Sequence, residues 1–128
     1  MNCISLAPNI GVANVNDTVR FYTERLGFKM IMSNPAEGEL LWAMVSSGEV
    51  NIMFQQNENL KEEYPELQNT GKGLITFYVR VKGLDELYNK LKGSDIIVKE
   101  LAKTFYGANE FAIRDNNGYV MTITEDEG

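Results

Sequence analysis

Apolar and polar positions alternate along most of this chain, and the alternation breaks twice into a helical period. Asn14-Val-Asn-Asp-Thr-Val-Arg-Phe-Tyr-Thr-Glu-Arg-Leu-Gly27 places Val15, Val19, Tyr22 and Leu26 on one stripe, behind capping residues at Asn16 and Asp17 and ahead of a terminating glycine. This predicts a short amphipathic helix. Leu84-Asp-Glu-Leu-Tyr-Asn-Lys-Leu-Lys-Gly93 repeats the design, with Leu84, Leu87, Tyr88 and Leu91 in phase. Strand-like runs surround each helix: Leu6–Val12, Phe28–Ser33, Leu40–Val45 and Val50–Gln55, then Leu74–Val81, Ile96–Lys99, Asn109–Arg114 and Tyr119–Thr124. Each half therefore reads β-α-β-β-β. The polar stretch Asn57–Lys72 joins them as a linker with at most a helical turn, because Pro65 interrupts the spacing of Leu60, Tyr64 and Leu67.

The two halves superimpose at a constant offset of 69 residues, pairing Val12 with Val81, Val15 with Leu84, Val19 with Tyr88 and Met53 with Thr122. Such a repeat predicts an α+β fold of two tandem modules, about 4–56 and about 73–126, within one domain spanning 1–128. Strand parity then separates the faces. Phe77, Val79 and Val81, Met121 and Ile123, Ile10 and Val12, and Ile52 and Phe54 point to the helices. Asn9, Met53 and Gln55 share the opposite face in one half, and Thr76, Tyr78, Arg80, Val120, Thr122 and Thr124 share it in the other. This face is neutral and hydrogen-bonding apart from Arg80, so the acids Glu37, Glu39, Glu110, Glu125 and Asp126 are expected at its rims.

Composition narrows the function. The net charge of −6, with twelve scattered basic residues, argues against a nucleic-acid binder, since phosphate neutralisation needs a clustered basic surface. No apolar run is long enough for a membrane span. The start of the chain lacks a secretory pattern, and the lone Cys3 has no intramolecular partner, so a cytoplasmic location is expected. The absence of histidine removes the usual acid/base group at neutral pH and the commonest transition-metal ligand. No nucleophile–base pair or carboxylate dyad can be placed on the open face, so no catalytic residue is assigned.

Two stretches carry a family resemblance: "NVNDTVRFYTERLGF", with Phe21-Tyr22 and Leu26-Gly27-Phe28, and "GANEFAIRDNNGYVMTITE", with the Asp115-x-x-Gly118 turn into the last strand. Together with the paired modules they resemble the vicinal oxygen chelate superfamily, which includes glyoxalase I, extradiol dioxygenases and bleomycin-resistance proteins. The resemblance implies that the modules curl into a curved mixed sheet with a cup-like cleft, and that a homodimer covers its open side or edges. In metal-dependent members it implies ligands at four positions that here correspond to Ala7, Met53, Thr76 and Thr122. A methyl, a thioether and two hydroxyls supply neither imidazole nor carboxylate, so no metal and no other cofactor is expected.

The reading that follows is a metal-free protein of the glyoxalase/bleomycin-resistance type that sequesters a small cationic or aromatic molecule, such as an antibiotic. Its expected ligand-binding residues are Asn9, Trp42, Met53, Gln55, Thr76, Tyr78, Arg80, Tyr106 and Thr122. Met53 adapts to irregular shapes, Trp42, Tyr78 and Tyr106 offer rings, and the amides and hydroxyls orient the ligand. One alternative is a metal-dependent lyase or dioxygenase with a displaced site at Asn9, Gln55 and Glu110. Another is a protein-interaction module using the same sheet face.

Overall fold

The computed structural model describes residues 1–69 and 74–126. The chain divides into two compact units, 1–72 and 73–128. Residues 70–73, at the end of the expected linker, lie outside the described residues.

In the first unit, strands β1 (Asn9–Val12), β2 (Lys29–Asn34), β3 (Trp42–Ser47) and β4 (Val50–Gln56) form a mixed sheet in the order β1-β4-β3-β2. Helix α1 (Val15–Leu26) packs its stripe onto the face built by Ile10, Val12, Ala43, Val45, Ile52 and Phe54, all buried. Tyr22 is fully buried at the centre of that contact, with its ring 4.8 Å from Phe54 and edge-on to Phe28 at 5.5 Å. The buried positions of α1 are Val15, Thr18 and Tyr22, so the stripe runs through Thr18, and Val19 is only half-buried. Thr18 is tolerated there because its hydroxyl donates to the Asn14 carbonyl at 2.9 Å. The N-cap is Asn14, whose side chain accepts from the Asp17 amide, and not the expected Asn16 or Asp17. Asn16 instead ties the loop before β3, donating to the Gly38 carbonyl and accepting from the Leu40 amide, each at 2.9 Å. Gly27 ends the helix in the left-handed region at φ 76°, where a side chain would be strained.

The second unit repeats the plan with β5 (Phe77–Val81), β6 (Ile97–Lys103), β7 (Asn109–Arg114) and β8 (Val120–Glu125), ordered β5-β8-β7-β6. Helix α3 (Leu84–Leu91) buries Leu84 and Leu91 and sets Tyr88 edge-on to Phe111 at 5.1 Å. Its N-cap, Gly83, has no side chain, and the carboxylate of Glu125 takes over by accepting from the Gly83 and Leu84 amides at 3.2 and 3.1 Å. An acid expected at the rim is thus a helix cap. Asp115 is likewise structural: it is buried and accepts from the Asn117 and Tyr119 amides at 2.8 and 2.9 Å, which closes the turn between β7 and β8.

The repeat extends to hydrogen-bond register. β1 pairs in parallel with β4 through Asn9 with Met53 and Gly11 with Gln55, and β5 pairs in parallel with β8 through Tyr78 with Thr122 and Arg80 with Thr124. Each β1–β4 pair maps onto a β5–β8 pair at the same 69-residue offset. The first strand of each module is shorter than its sequence pattern. β1 starts at Asn9 because Pro8 lacks the amide a ladder needs, although its carbonyl still accepts from Met53. β5 starts at Phe77, so Ala7 and Thr76 both lie outside the strands. The sharpest departure is in the linker, which holds helix α2 (Asn57–Glu63), capped by Gln56, and a 3-10 turn over Pro65–Asn69. The strands form two four-stranded sheets, one in each unit.

Candidate functional site

Each sheet has one face under its helix and one that is left for other work. On the open face of the first unit, one row of neighbours is Gly11, Gln55 and Trp42, and the next is Asn9, Met53 and Met44. Helix α2 lies across this face, and Gly11 is what lets it approach. A Cβ at position 11 would sit 2.6 Å from Asn57 Oδ1 and 3.3 Å from Leu60 Cδ2. Gln55 is 6% exposed and fully engaged. Its Oε1 accepts from Asn9 Nδ2 at 2.8 Å, while its Nε2 donates to Asn59 Oδ1 at 2.8 Å and Glu63 Oε1 at 2.9 Å. Asn59 and Glu63 are one helical turn apart on α2, so both reach the same amide. These groups, with Asn34 and Trp42, line a cavity of about 360 Å³.

The second unit builds a different lining on the same frame. Its corresponding rows are Arg80, Thr124 and Glu110, then Tyr78, Thr122 and Ala112. Glu110 therefore occupies the register position that Trp42 holds in the first unit, beside Thr124 as Trp42 is beside Gln55. The expectation that this face carries no acid is corrected: register puts Glu110 on it, half-buried, between two phenols. Tyr78 donates to one carboxylate oxygen at 2.5 Å and Tyr106 to the other at 2.7 Å. Tyr106 reaches back because the β6–β7 connection turns tightly, with the Gly107 amide donating to the Thr104 carbonyl and Gly107 at φ 88°. Its neighbour Phe105 is fully exposed and stands edge-on to it at 4.9 Å.

The hydrogen bonds they donate to Glu110 hold the Tyr78 and Tyr106 hydroxyls above the ordinary phenol range, with desolvation adding to the effect. Both remain neutral donors at physiological pH. The arrangement is a carboxylate held in place from both sides and flanked by aromatic rings, beside a cavity of about 360 Å³ whose walls include Phe105, Tyr106, Glu110, Thr122 and Lys99. A fixed anion among exposed ring faces favours an organic cation, which is attracted by the charge and by the ring quadrupoles together.

The expected ligand-binding residues are thus divided. Asn9, Trp42 and Gln55 meet around the first cavity, and Tyr106 and Thr122 around the second, with Tyr78 joined to it through Glu110. Met53 lies on the open face beside Asn9, and Arg80 beside Thr124, but neither lines these cavities. Thr76 is exposed ahead of β5. Unforeseen in the sequence were Asn34, Asn59, Glu63 and Phe105, together with the central place of Glu110. For Asn59 and Glu63 the signal was their helical spacing after Gln56, obscured by the overall polarity of the segment.

The donor set does not fit a divalent ion. Of the four positions to which the resemblance assigns ligands, Ala7 and Thr76 are off the strands and Met53 and Thr122 bear no charge. The displaced alternative fares no better. Both oxygens of Glu110 are taken by phenols, and the Gln55 oxygen by Asn9. Among the described residues no group of three or more Cys, Asp or Glu side chains is placed to hold a metal.

Residues 5–123 match the family model of the Glyoxalase/Bleomycin resistance protein/Dioxygenase superfamily. The chain belongs to this superfamily. No curated protein matches the chain by sequence. Among solved structures, TioX from Micromonospora sp. ML1 is similar with 20% identity over 98% of each chain and a TM-score of 0.75. A protein of unknown function from Agrobacterium tumefaciens shares 16% identity over 98% of this chain and 96% of that one, with a TM-score of 0.77. A bleomycin-binding protein complexed with bleomycin shares 19% identity over 98% of this chain and 100% of its own, with a TM-score of 0.66. At these identities the likeness to solved structures establishes the fold alone. No helix among the described residues is long and apolar enough to cross a membrane.

Proposed function

We propose that this superfamily member is a metal-free binding protein that sequesters a small organic molecule, with aromatic cations as the ligand class its second unit suits. The observation that carries the reading is Glu110, fixed on the open sheet face by Tyr78 and Tyr106 beside a cavity walled by exposed rings. Binding of bleomycin by a structural neighbour supports a ligand of antibiotic type. So does the net charge of −6, which attracts cations over long range. A cytoplasmic site of action fits the sequence, as does a homodimer, for which Met30, Ile31 and Met32 on the edge strand β2 leave apolar side chains exposed.

The first test is a thermal-shift screen of purified protein against aromatic cations, aromatic anions and neutral aromatics, paired with elemental analysis for metals. Stabilisation by cations without stoichiometric metal is the expected result. A turnover that depends on added metal, or stabilisation confined to anions, would overturn the reading.

A further inference from the structure

The amide cluster of the first unit has a polarity that one residue dictates. An amide side chain can present either its oxygen or its nitrogen, and shape alone does not choose between them. A carboxylate only accepts. Because Glu63 faces Gln55, the Gln55 nitrogen must point to it, and the choice then spreads. Gln55 Nε2 spends its second hydrogen on Asn59, which must present Oδ1, so the Asn59 nitrogen is turned away from Gln55. Gln55 Oε1 must accept, so Asn9 presents Nδ2 to it and keeps its oxygen for other use. Gln55 is buried and cannot exchange these partners for water.

What remains for a ligand is a mixed edge. Asn59 retains amide hydrogens and Asn9 a carbonyl oxygen. The Asn34 side chain and the Trp42 indole N–H have no hydrogen-bond partner among the described residues. All four residues line the same cavity. An unsubstituted carboxamide on an aromatic ring matches this set, since it offers a donor and an acceptor on one planar edge and a ring to lie against the indole. A carboxylate would bring an acceptor pair toward Glu63, and a ketone would leave the acceptors unanswered.

We propose that the open face of the first unit is a carboxamide-recognition site, and that Glu63 sets its specificity by fixing the orientation of Gln55, Asn59 and Asn9. The proposal deepens the small-molecule-binding reading and rests on it. Glu63 is a positioning residue here, acting through Gln55.

Trp42 is the sole tryptophan, so its emission reports this cavity directly. The test is titration of the full chain with benzamide, acetophenone, benzoate and benzylammonium, followed by intrinsic fluorescence, with benzylammonium also measured by calorimetry. Benzamide should change Trp42 emission saturably and bind at least about tenfold more tightly than acetophenone, because the ketone has no donor for the side-chain oxygens of Asn9 and Asn34 and forgoes two hydrogen bonds. In Glu63→Gln, which keeps the shape but frees the amides to flip, that preference should fall to about threefold or less at an unchanged melting temperature. Asn34→Leu should weaken benzamide without altering the melting curve.

Equal binding of benzamide and acetophenone, tighter binding of benzylammonium at Trp42, or no emission change with any probe would overturn the site. An undiminished preference in Glu63→Gln would overturn the orienting role. Calorimetric binding of benzylammonium that Glu110→Gln removes belongs to the second unit. Failure of benzamide beside intact cation binding sinks only this inference, whereas benzamide binding without cation binding sinks only the cation reading.

Discussion

Replacing Glu125 with alanine separates a structural acid from a ligand-binding one. Its carboxylate is the only side-chain cap that α3 receives among the described residues, because Gly83 offers none. Two backbone amides lose their acceptor in the variant, and the positive end of the helix loses a facing negative charge. Loss of a side-chain N-cap costs about 0.5–2 kcal/mol, and the charge at the helix terminus contributes about 0.3–1 kcal/mol more. Glu125 is half-buried and makes both bonds, so the sum should fall near 2 kcal/mol. For a chain of 128 residues this corresponds to a fall of roughly 5–10 °C in Tm. The assay is urea unfolding followed by circular dichroism, with the slope of the transition compared between variants. Glu125→Gln should recover part of the loss, since one amide oxygen can still accept. Ligand affinity should stay unchanged in both. A loss below about 0.3 kcal/mol would show that water caps α3 equally well and that Glu125 is no cap in energetic terms.

Other outcomes follow from the same geometry. Phe54→Ala removes a fully buried ring packed on Tyr22 and should cost about 3–5 kcal/mol in chemical denaturation. Gly11→Ala drives a Cβ into Asn57 and Leu60, so it should displace α2 and change Trp42 emission while leaving the second unit's ligand affinity intact. Spectrophotometric titration should show Tyr78 and Tyr106 ionising above ordinary tyrosine, and Glu110→Gln should move both down toward it. The sign follows from linkage. A phenol whose folded pKa is raised adds stability that is whole below the unfolded pKa near 10 and is lost as pH rises through the folded value, so Glu110→Gln should flatten the alkaline fall in stability.

The fold was largely legible because it is written twice. Strand parity and the 69-residue repeat predict the helix and strands of each module, and the register of Asn9 with Met53 recurs as Tyr78 with Thr122. What escaped were features set by partners distant in sequence. Pro8 ends a ladder that alternation alone would extend, and Glu125 caps a helix 41 residues earlier. The site was legible in its residue types but not in its groupings. Asn9 and Gln55 are found by face parity and Trp42 by its ring chemistry, whereas α2 supplies Asn59 and Glu63 from a segment so polar that only one buried residue, Leu60, anchors it. Glu110 alternates correctly with the packed Phe111 and Ile113, so its face could be read. Its two phenol partners could not, because they depend on β-pairing across β8 and on a turn at Gly107.

The most direct test of the central claim is calorimetric titration of metal-depleted protein with benzyltrimethylammonium, wild type against Glu110→Gln. Saturable binding is expected in the wild type and at least about fivefold weaker binding in the variant, as for loss of about 1 kcal/mol from a partly exposed ion contact. Equal affinity in the two proteins, or binding that appears only after a divalent metal is restored, would contradict that claim.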